Sequence, residues 1–281
     1  MNVYSDIPYT SAPVTPHPLR TFDLFSPFQN SLSSKPAPLI CLVHGGAWRS
    51  EDKKDYGVLA RNLAAYTSSP VAVPNYRLTQ PDNGVQHPTH AQDVLQLLTF
   101  LLSWSGPQGC QSPPYDPNRI FLMGHSCSAH MLSCILLDSS EPALVPSAAL
   151  LRAVRGVVLS EGIYDIDTLL KSFPTYREWF IRETFGDLPT YDRYSATRMV
   201  LREGAKHISW IILHSKGDTL VDTLQSQAIY DHLQSLHDGG LQEGGQVVKN
   251  WDDLEDDHNA ILQSGKYIQI VGDFICRVPN A

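Results

Sequence analysis

The chain has 281 residues, of which 42% are hydrophobic and 18% are charged, and these ordinary proportions exclude a disordered chain, a coiled coil and a collagen-like repeat. Lysine and arginine number 21 against 29 aspartates and glutamates, which gives a formal net charge of −8. Because the longest basic run is the pair Lys53-Lys54, we expect neither a nucleic acid nor a membrane as a partner.

Short apolar segments rich in β-branched residues recur along the chain and predict strands. They are Thr21–Phe25, Leu39–Val43, Val71–Tyr76, Ile120–Met123, Val154–Leu159, Ile208–Leu213 and Gln246–Trp251. Segments with apolar residues at helical spacing lie between them, namely Asp55–Ala65, His90–Trp104, Ser128–Leu137, Val221–Leu236 and Asn259–Ile275. This alternation predicts an α/β fold with a mostly parallel central sheet flanked by helices.

Residues 163–203 interrupt the alternation with a segment that contains many aromatic residues and two prolines. One interpretation is a two-helix connection that packs its own small core. The other is a cap over the carboxyl edge of the sheet, where open α/β sheets bind ligands. We expect a cap insertion at 163–203 within a single domain that spans residues 1–281.

A candidate nucleophile lies in the sequence Gly124-His125-Ser126-Cys127-Ser128, between a predicted strand and a predicted helix. A serine at such a sharp turn projects its hydroxyl above the sheet. The usual pattern is Gly-x-Ser-x-Gly, so Ser128 departs from it. Alternatively, Ser126 only caps the helix that follows.

A second motif, His44-Gly45-Gly46-Ala47-Trp48, directly follows another predicted strand. Adjacent glycines leave backbone N–H groups free to approach a substrate oxygen. The candidate oxyanion-hole residues are therefore Gly45, Gly46, Ala47 and Cys127. Alternatively, the two glycines form an ordinary turn, with His44 and Trp48 packing around it.

Asp218 and His258 are the candidate acid and base, because each follows a predicted strand and they come after Ser126 in the order expected of an α/β-hydrolase. In this triad His258 takes the serine proton, and Asp218 orients the imidazole. Asp222 and Asp165 are the rival acids. The rival histidines are His207, His214, His232 and His237.

The spacing of histidines and cysteines predicts no metal site and no cofactor, since neither His-Glu-x-x-His nor Cys-x-x-Cys occurs. The five cysteines also give no disulfide framework. The first ten residues lack the basic and apolar parts of a secretory signal. We therefore expect a cytoplasmic protein with a small molecule as its substrate, and a homodimer stays open.

These motifs resemble those of the kynurenine formamidases (arylformamidases) of the α/β-hydrolase fold and, more distantly, the hormone-sensitive-lipase-like esterases. The similarity is carried by His44–Trp48, Asn75–Leu78, Gly124–Cys127 and Ser160–Ile166. It implies hydrolysis of N-formyl-L-kynurenine to L-kynurenine and formate, a step of tryptophan degradation. It also implies a triad of Ser126, Asp218 and His258.

The aryl ring of such a substrate could contact aromatic residues of the loops and cap, for which the candidates are Trp48, Tyr164, Tyr176 and Trp179. Arg177 or Arg182 could pair with its carboxylate. Alternatively, these residues hold the cap together. Two other functions stay open: a carboxylesterase of small acyl esters, and a degenerate hydrolase that only binds, for which Ser128 is the only support.

Overall fold

A computed structural model describes residues 1–10, 17–28, 36–108, 110, 112–237 and 244–279. The strands are β1 (Asn2–Pro8), β2 (Thr21–Ser26), β3 (Pro38–Val43), β4 (Val71–Pro74), β5 (Asp116–His125), β6 (Leu137–Asp138), β7 (Val154–Ser160), β8 (Val200–Leu201), β9 (Ser209–Leu213) and β10 (Val247–Asn250). The α-helices are α1 (Gly57–Thr67), α2 (Thr89–Leu101), α3 (Cys127–Leu136), α4 (Ala148–Ala153), α5 (Ile166–Ser172), α6 (Arg182–Phe185), α7 (Thr223–His237) and α8 (Gly265–Arg277).

Eight of these strands form one sheet in the order β1-β2-β4-β3-β5-β7-β9-β10. The pairs β1–β2 and β2–β4 are antiparallel, and the pairs from β4 to β10 are parallel. The α/β prediction with a mostly parallel sheet is therefore confirmed. Because the parallel strands point the same way, their carboxyl ends lie along one edge, where ligands bind in such sheets.

Helices cover both faces of the sheet. Strand β3 is apolar throughout because its side chains are buried on both faces. Leu39, Cys41 and Val43 point into one core, which also contains apolar residues of α2 and α3. Ile40 and Leu42 point into the other, with residues of α1 and α8. A strand buried on both faces has no polar side to alternate with.

Several elements differ from the sequence-based expectations, among them β1, α8 and β4. Strand β1 was not predicted, because its residues are mostly exposed and lack an apolar pattern. The helix expected from Asn259 begins only at Gly265, after a short 3-10 helix at Ala260–Gln263. Strand β4 ends at Pro74, whose nitrogen has no hydrogen to donate to the ladder.

The segment at 163–203 contains α5, a π-helical turn at Arg177–Ile181, α6 and two short 3-10 helices. Its aromatic rings pack against one another, with Phe173 and Tyr176 stacked at 4.9 Å. The Tyr176 hydroxyl donates a hydrogen bond to the Leu220 carbonyl oxygen, at 3.0 Å, so the segment is attached to the loop after β9.

In the described ranges, no helix has the length and apolar character needed to cross a membrane.

Candidate active site

Ser126 lies at the sharp turn between β5 and α3, with φ 57° and ψ −123°. This backbone conformation is strained for a residue other than glycine. Gly124 permits the tight turn, because a Cβ there would lie 2.9 Å from the Ala129 nitrogen. The Ser126 side chain makes no capping hydrogen bond to α3, so the structure does not support the helix-cap alternative.

Ser128, the departure from the usual glycine, is fully buried and part of the turn. Its hydroxyl accepts a hydrogen bond from the His125 N–H at 2.7 Å. The Ser128 hydroxyl also lies 2.8 Å from two carbonyl oxygens to which it can donate, those of Val43 in β3 and of His125. Ser128 therefore ties the turn to the neighbouring strand.

The loop after β3 carries the candidate oxyanion donors in an unusual backbone conformation. Gly46, Ala47 and Trp48 have φ values of 90°, 51° and 60°. A Cβ on Gly46 would collide with the Ser50 carbonyl oxygen. The Trp48 N–H donates to the Cys127 sulfur at 3.2 Å, which fixes this loop against the start of α3.

Gly45 is a correction to the predicted oxyanion set. Its N–H donates to the Tyr56 hydroxyl at 3.0 Å and is therefore not free to bind a substrate oxygen. Gly46 and Ala47 line the same cavity as Ser126. Cys127 is the first residue of α3, so its N–H has no acceptor within the helix. The candidate donors that fit are Gly46, Ala47 and Cys127.

The candidate acid and base are in direct contact. His258 Nδ1 lies 2.8 Å from Asp218 Oδ2, and both side chains are buried. The other oxygen of Asp218 accepts the N–H groups of Leu220 and Val221, at 2.8 and 3.0 Å. This arrangement leaves His258 Nε2 available, and His258 lines the same cavity as Ser126.

The rival residues have other contacts. Asp165 caps α5 by accepting the Thr168 N–H at 2.8 Å. Asp222 lies directly before α7, and its buried Oδ1 has no hydrogen-bond partner in the described chain. Each rival histidine contacts an oxygen of a residue other than Asp218. Three of them contact backbone carbonyl oxygens: His207 that of Val154, His232 that of Met199 and His237 that of Leu233. The fourth, His214, contacts the Ser226 hydroxyl.

Glu161 is a site residue that sequence reasoning missed. It follows β7 with φ 48°, and its fully buried Oε2 lies 3.3 Å from His258 Nδ1. Its Oε1 accepts the Ser215 N–H at 3.1 Å. Burial, and then the negative charge of Asp218, raise the pKa of Glu161 to about 9, so this carboxyl is neutral at pH 7. An acidic residue directly after a buried strand was the available signal.

His125 lies beneath the candidate base, with its ring centroid 4.5 Å from that of His258. Burial lowers the pKa of His125, so this ring is neutral. In the described chain, His125, Glu161 and His258 form the one group with metal-ligand atoms within 4.8 Å of one another. A metal bound through His258 Nδ1 would compete with Asp218 for that nitrogen. The absence of a metal stays a prediction.

A cavity of about 210 Å³ opens beside Ser126. Its lining consists of Gly46, Ala47, Ser50, Glu51, Ser126, Ile163, Tyr176, Trp179, Phe180, Leu220, Val221, His258 and Asn259. Two of the predicted substrate contacts, Tyr176 and Trp179, are therefore on its wall. A second groove of about 660 Å³ lies between β9, β10 and α8, and no candidate catalytic residue lines it.

Four predicted substrate contacts lie elsewhere. Trp48 and Tyr164 are fully buried and do not line the cavity, because the Trp48 ring packs against Phe185 and other core rings. Arg177 pairs with Asp187 at 3.0 Å, and Arg182 pairs with Glu178 at 2.9 Å. Both ion pairs lie within the segment 163–203, as the alternative interpretation expected.

Comparison with known proteins finds relatives that are hydrolases. Kynurenine formamidase of Saccharomyces cerevisiae is 25% identical over 268 residues, which cover 87% of this chain and 91% of the relative. Kynurenine formamidase of Meyerozyma guilliermondii is 26% identical over 202 residues, 70% of this chain and 71% of the relative.

Among solved structures, a truncated carbohydrate esterase from gut microbiota superposes with a TM-score of 0.72 at 15% identity, covering 98% of this chain and 95% of the other. This likeness shows the α/β-hydrolase fold. A family model described as BD-FAE matches residues 22–233, most of the chain. The chain therefore belongs to the BD-FAE family.

Proposed function

We propose that the chain is a serine hydrolase that cleaves an aryl formamide, N-formyl-L-kynurenine, to L-kynurenine and formate. The observation that carries this proposal is the 2.8 Å contact between His258 and Asp218 at the cavity that Ser126 also lines. The relatives support the reaction class, and the chain is a hydrolase of an amide or an ester.

In the proposed reaction, Ser126 Oγ attacks the formyl carbon while His258 Nε2 accepts the hydroxyl proton. The negative charge that forms on the formyl oxygen is stabilised by the N–H groups of Gly46, Ala47 and Cys127. His258 then donates the proton to the departing arylamine nitrogen, which leaves a formyl ester on Ser126. Water, deprotonated by His258, attacks this ester and releases formate.

The cavity supports a small acyl group and an aromatic leaving group. Formyl is the smallest acyl group, and the cavity measures about 210 Å³. Tyr176, Trp179 and Phe180 give it an aromatic wall, and aromatic rings bind other rings by edge and offset stacking.

The test is the rate of formate release from purified protein. We expect kcat/KM for N-formyl-L-kynurenine to exceed that for p-nitrophenyl acetate at least tenfold. Ser126→Ala should abolish both activities, and Ser235→Ala, at an exposed serine of α7, should change neither. Ester hydrolysis with little or no formate release would overturn the formamidase proposal.

A carboxylesterase of small acyl esters is the second candidate, favoured by one observation. None of the described residues that line the cavity is a lysine or arginine, so the carboxylate of N-formyl-L-kynurenine finds no opposite charge there. A series of p-nitrophenyl esters from acetate to octanoate distinguishes the two. A carboxylesterase should cleave the short esters faster than the formamide.

A further inference from the structure

Glu51 is held in a backbone conformation that glutamate rarely adopts. Its φ is 71°, in the left-handed region that favours glycine. It ends the loop that begins at Gly46, where Ala47 and Trp48 are also left-handed. Such strain persists where the surrounding structure requires it and is concentrated at functional sites. The strained backbone places a long acidic side chain on the cavity wall.

The hydrogen bonds of Glu51 hold its carboxyl group in place. The Tyr56 hydroxyl donates to Glu51 Oε2 at 2.5 Å and accepts the Gly45 N–H at 3.0 Å. Tyr56 is buried, and its bond to Glu51 is partly buried, so these bonds are partly shielded from water. With Oε2 engaged, Oε1 is the oxygen that can receive a ligand.

The described side chains that line the cavity include an acidic group but no lysine or arginine. Glu51 is the one carboxylate among these described residues. Burial raises the pKa of Glu51, so the hydrogen bond from Tyr56 and the nearby His258 compensate only in part for the lost hydration of its charged form. A positively charged ligand would supply that compensation, and the partly dry surroundings would strengthen the attraction.

The rest of the wall suits the same kind of ligand. Tyr176, Trp179 and Phe180 line the cavity with Glu51. Aromatic faces attract cations, and they do so more strongly where water is excluded. A carboxylate and three aromatic side chains around one small space form a site for an ammonium group attached to an aromatic ring.

We infer that Glu51 determines specificity by favouring substrates whose aromatic leaving group carries a positive charge and disfavouring those whose leaving group is anionic. The inference rests on the proposed function, since it takes this cavity as the hydrolytic site. The leaving group of N-formyl-L-kynurenine carries an α-ammonium group on the side chain of its aromatic ring, next to an α-carboxylate. The acyl side is too small to carry the charge, so the selection acts on the leaving group.

The experiment uses three acetate esters with the same ring: 3-(trimethylammonio)phenyl, 3-tert-butylphenyl and 3-carboxyphenyl acetate. The first two have substituents of the same shape and differ in charge. We expect Glu51→Gln to lower kcat/KM for the cationic ester at least tenfold relative to the neutral one and to raise the relative rate of the anionic ester. Taking each rate relative to wild type cancels the different reactivities of the esters.

Glu178→Gln is the matched control, because Glu178 is an exposed acid of the cap that pairs with Arg182 and does not line the cavity. It should leave the three relative rates within twofold of wild type. Equal charge preference in wild type and Glu51→Gln would overturn the inference while leaving the proposed function intact.

Binding to the wild-type chain gives a second readout that needs neither a folded variant nor turnover. By calorimetry we expect phenyltrimethylammonium to bind at least tenfold more tightly than benzoate. Equal or reversed affinities would overturn the inference. Tight binding of the cation without hydrolysis of any ester or of N-formyl-L-kynurenine would support a cation site at Glu51 and contradict the proposed function instead.

Discussion

Glu161 Oε2 and His258 Nδ1 lie 3.3 Å apart, on the same side of the imidazole as Asp218. Two carboxyl groups thus share one ring nitrogen. Like charges this close do not both ionise easily, and burial adds to the cost of the second charge. The structure satisfies this constraint by keeping Glu161 protonated, since its pKa is raised to about 9.

Stability should therefore depend on the protonation of Glu161. The folded chain holds this proton up to a pH of about 9, whereas the ordinary pKa is 4.5. The contribution of this proton to the stability of the folded chain is complete below pH 4.5 and is lost as the pH rises toward 9. The free energy of unfolding falls over this range by at most ~1.4 kcal/mol per pH unit.

We expect Glu161→Gln to remove this slope, so that the variant gains stability relative to wild type between pH 5 and pH 9. Urea unfolding at each pH measures the free energy of unfolding of both proteins. Glu178→Gln, at an exposed acid, should follow wild type. Parallel stability curves for wild type and Glu161→Gln would show that Glu161 is charged in the folded chain.

Ser128→Ala should destabilise the turn that carries Ser126. The substitution leaves the buried His125 N–H without its acceptor, which costs about 1–3 kcal/mol. Ser133→Ala is the control, since Ser133 is buried in the same helix but only donates to the Ala129 carbonyl oxygen. Urea unfolding should show a smaller loss for Ser133→Ala, and equal losses would contradict the role of Ser128.

Asp218→Asn should lower kcat about 10⁴-fold, because an amide no longer holds the His258 tautomer in which Nε2 is free. Asp222→Asn should change kcat less than threefold, since Asp222 lies before α7 and the hydrogen bond of His258 Nδ1 goes to Asp218. The esterase or formamidase rate of the two purified variants decides between them. A larger loss for Asp222→Asn would reverse the assignment of the acid.

Gly46→Ala should abolish activity, because the new Cβ meets the Ser50 carbonyl oxygen and displaces the oxyanion donors. Gly204→Ala is the control: its φ is also positive, at 83°, but a Cβ there meets nothing within 4 Å. Both variants should lose stability from backbone strain, but Gly204→Ala should keep the wild-type kcat/KM. Full activity in Gly46→Ala would exclude this loop from the oxyanion hole.

The sequence predicted the parallel strands and the motifs at their carboxyl ends, because buried strands and glycine turns have strong local signals. Contacts between distant segments had none. The position of Glu161 directly after a buried strand places it at the carboxyl edge of the sheet, but the sequence does not indicate that it contacts His258 there. The same holds for Gly45, whose N–H is taken by Tyr56. Trp48 was a candidate substrate contact, but only its packing against distant rings such as Phe185 shows it to be fully buried.

The central claim, that Ser126, His258 and Asp218 act as one unit, is tested most directly by labelling the purified chain with diisopropyl fluorophosphate and locating the adduct by mass spectrometry. We predict a single adduct on Ser126 that forms at least 100-fold more slowly in His258→Ala and is absent in Ser126→Ala. Labelling of wild type and His258→Ala at equal rates, or no adduct on Ser126, would contradict the account and favour a protein that binds without catalysis.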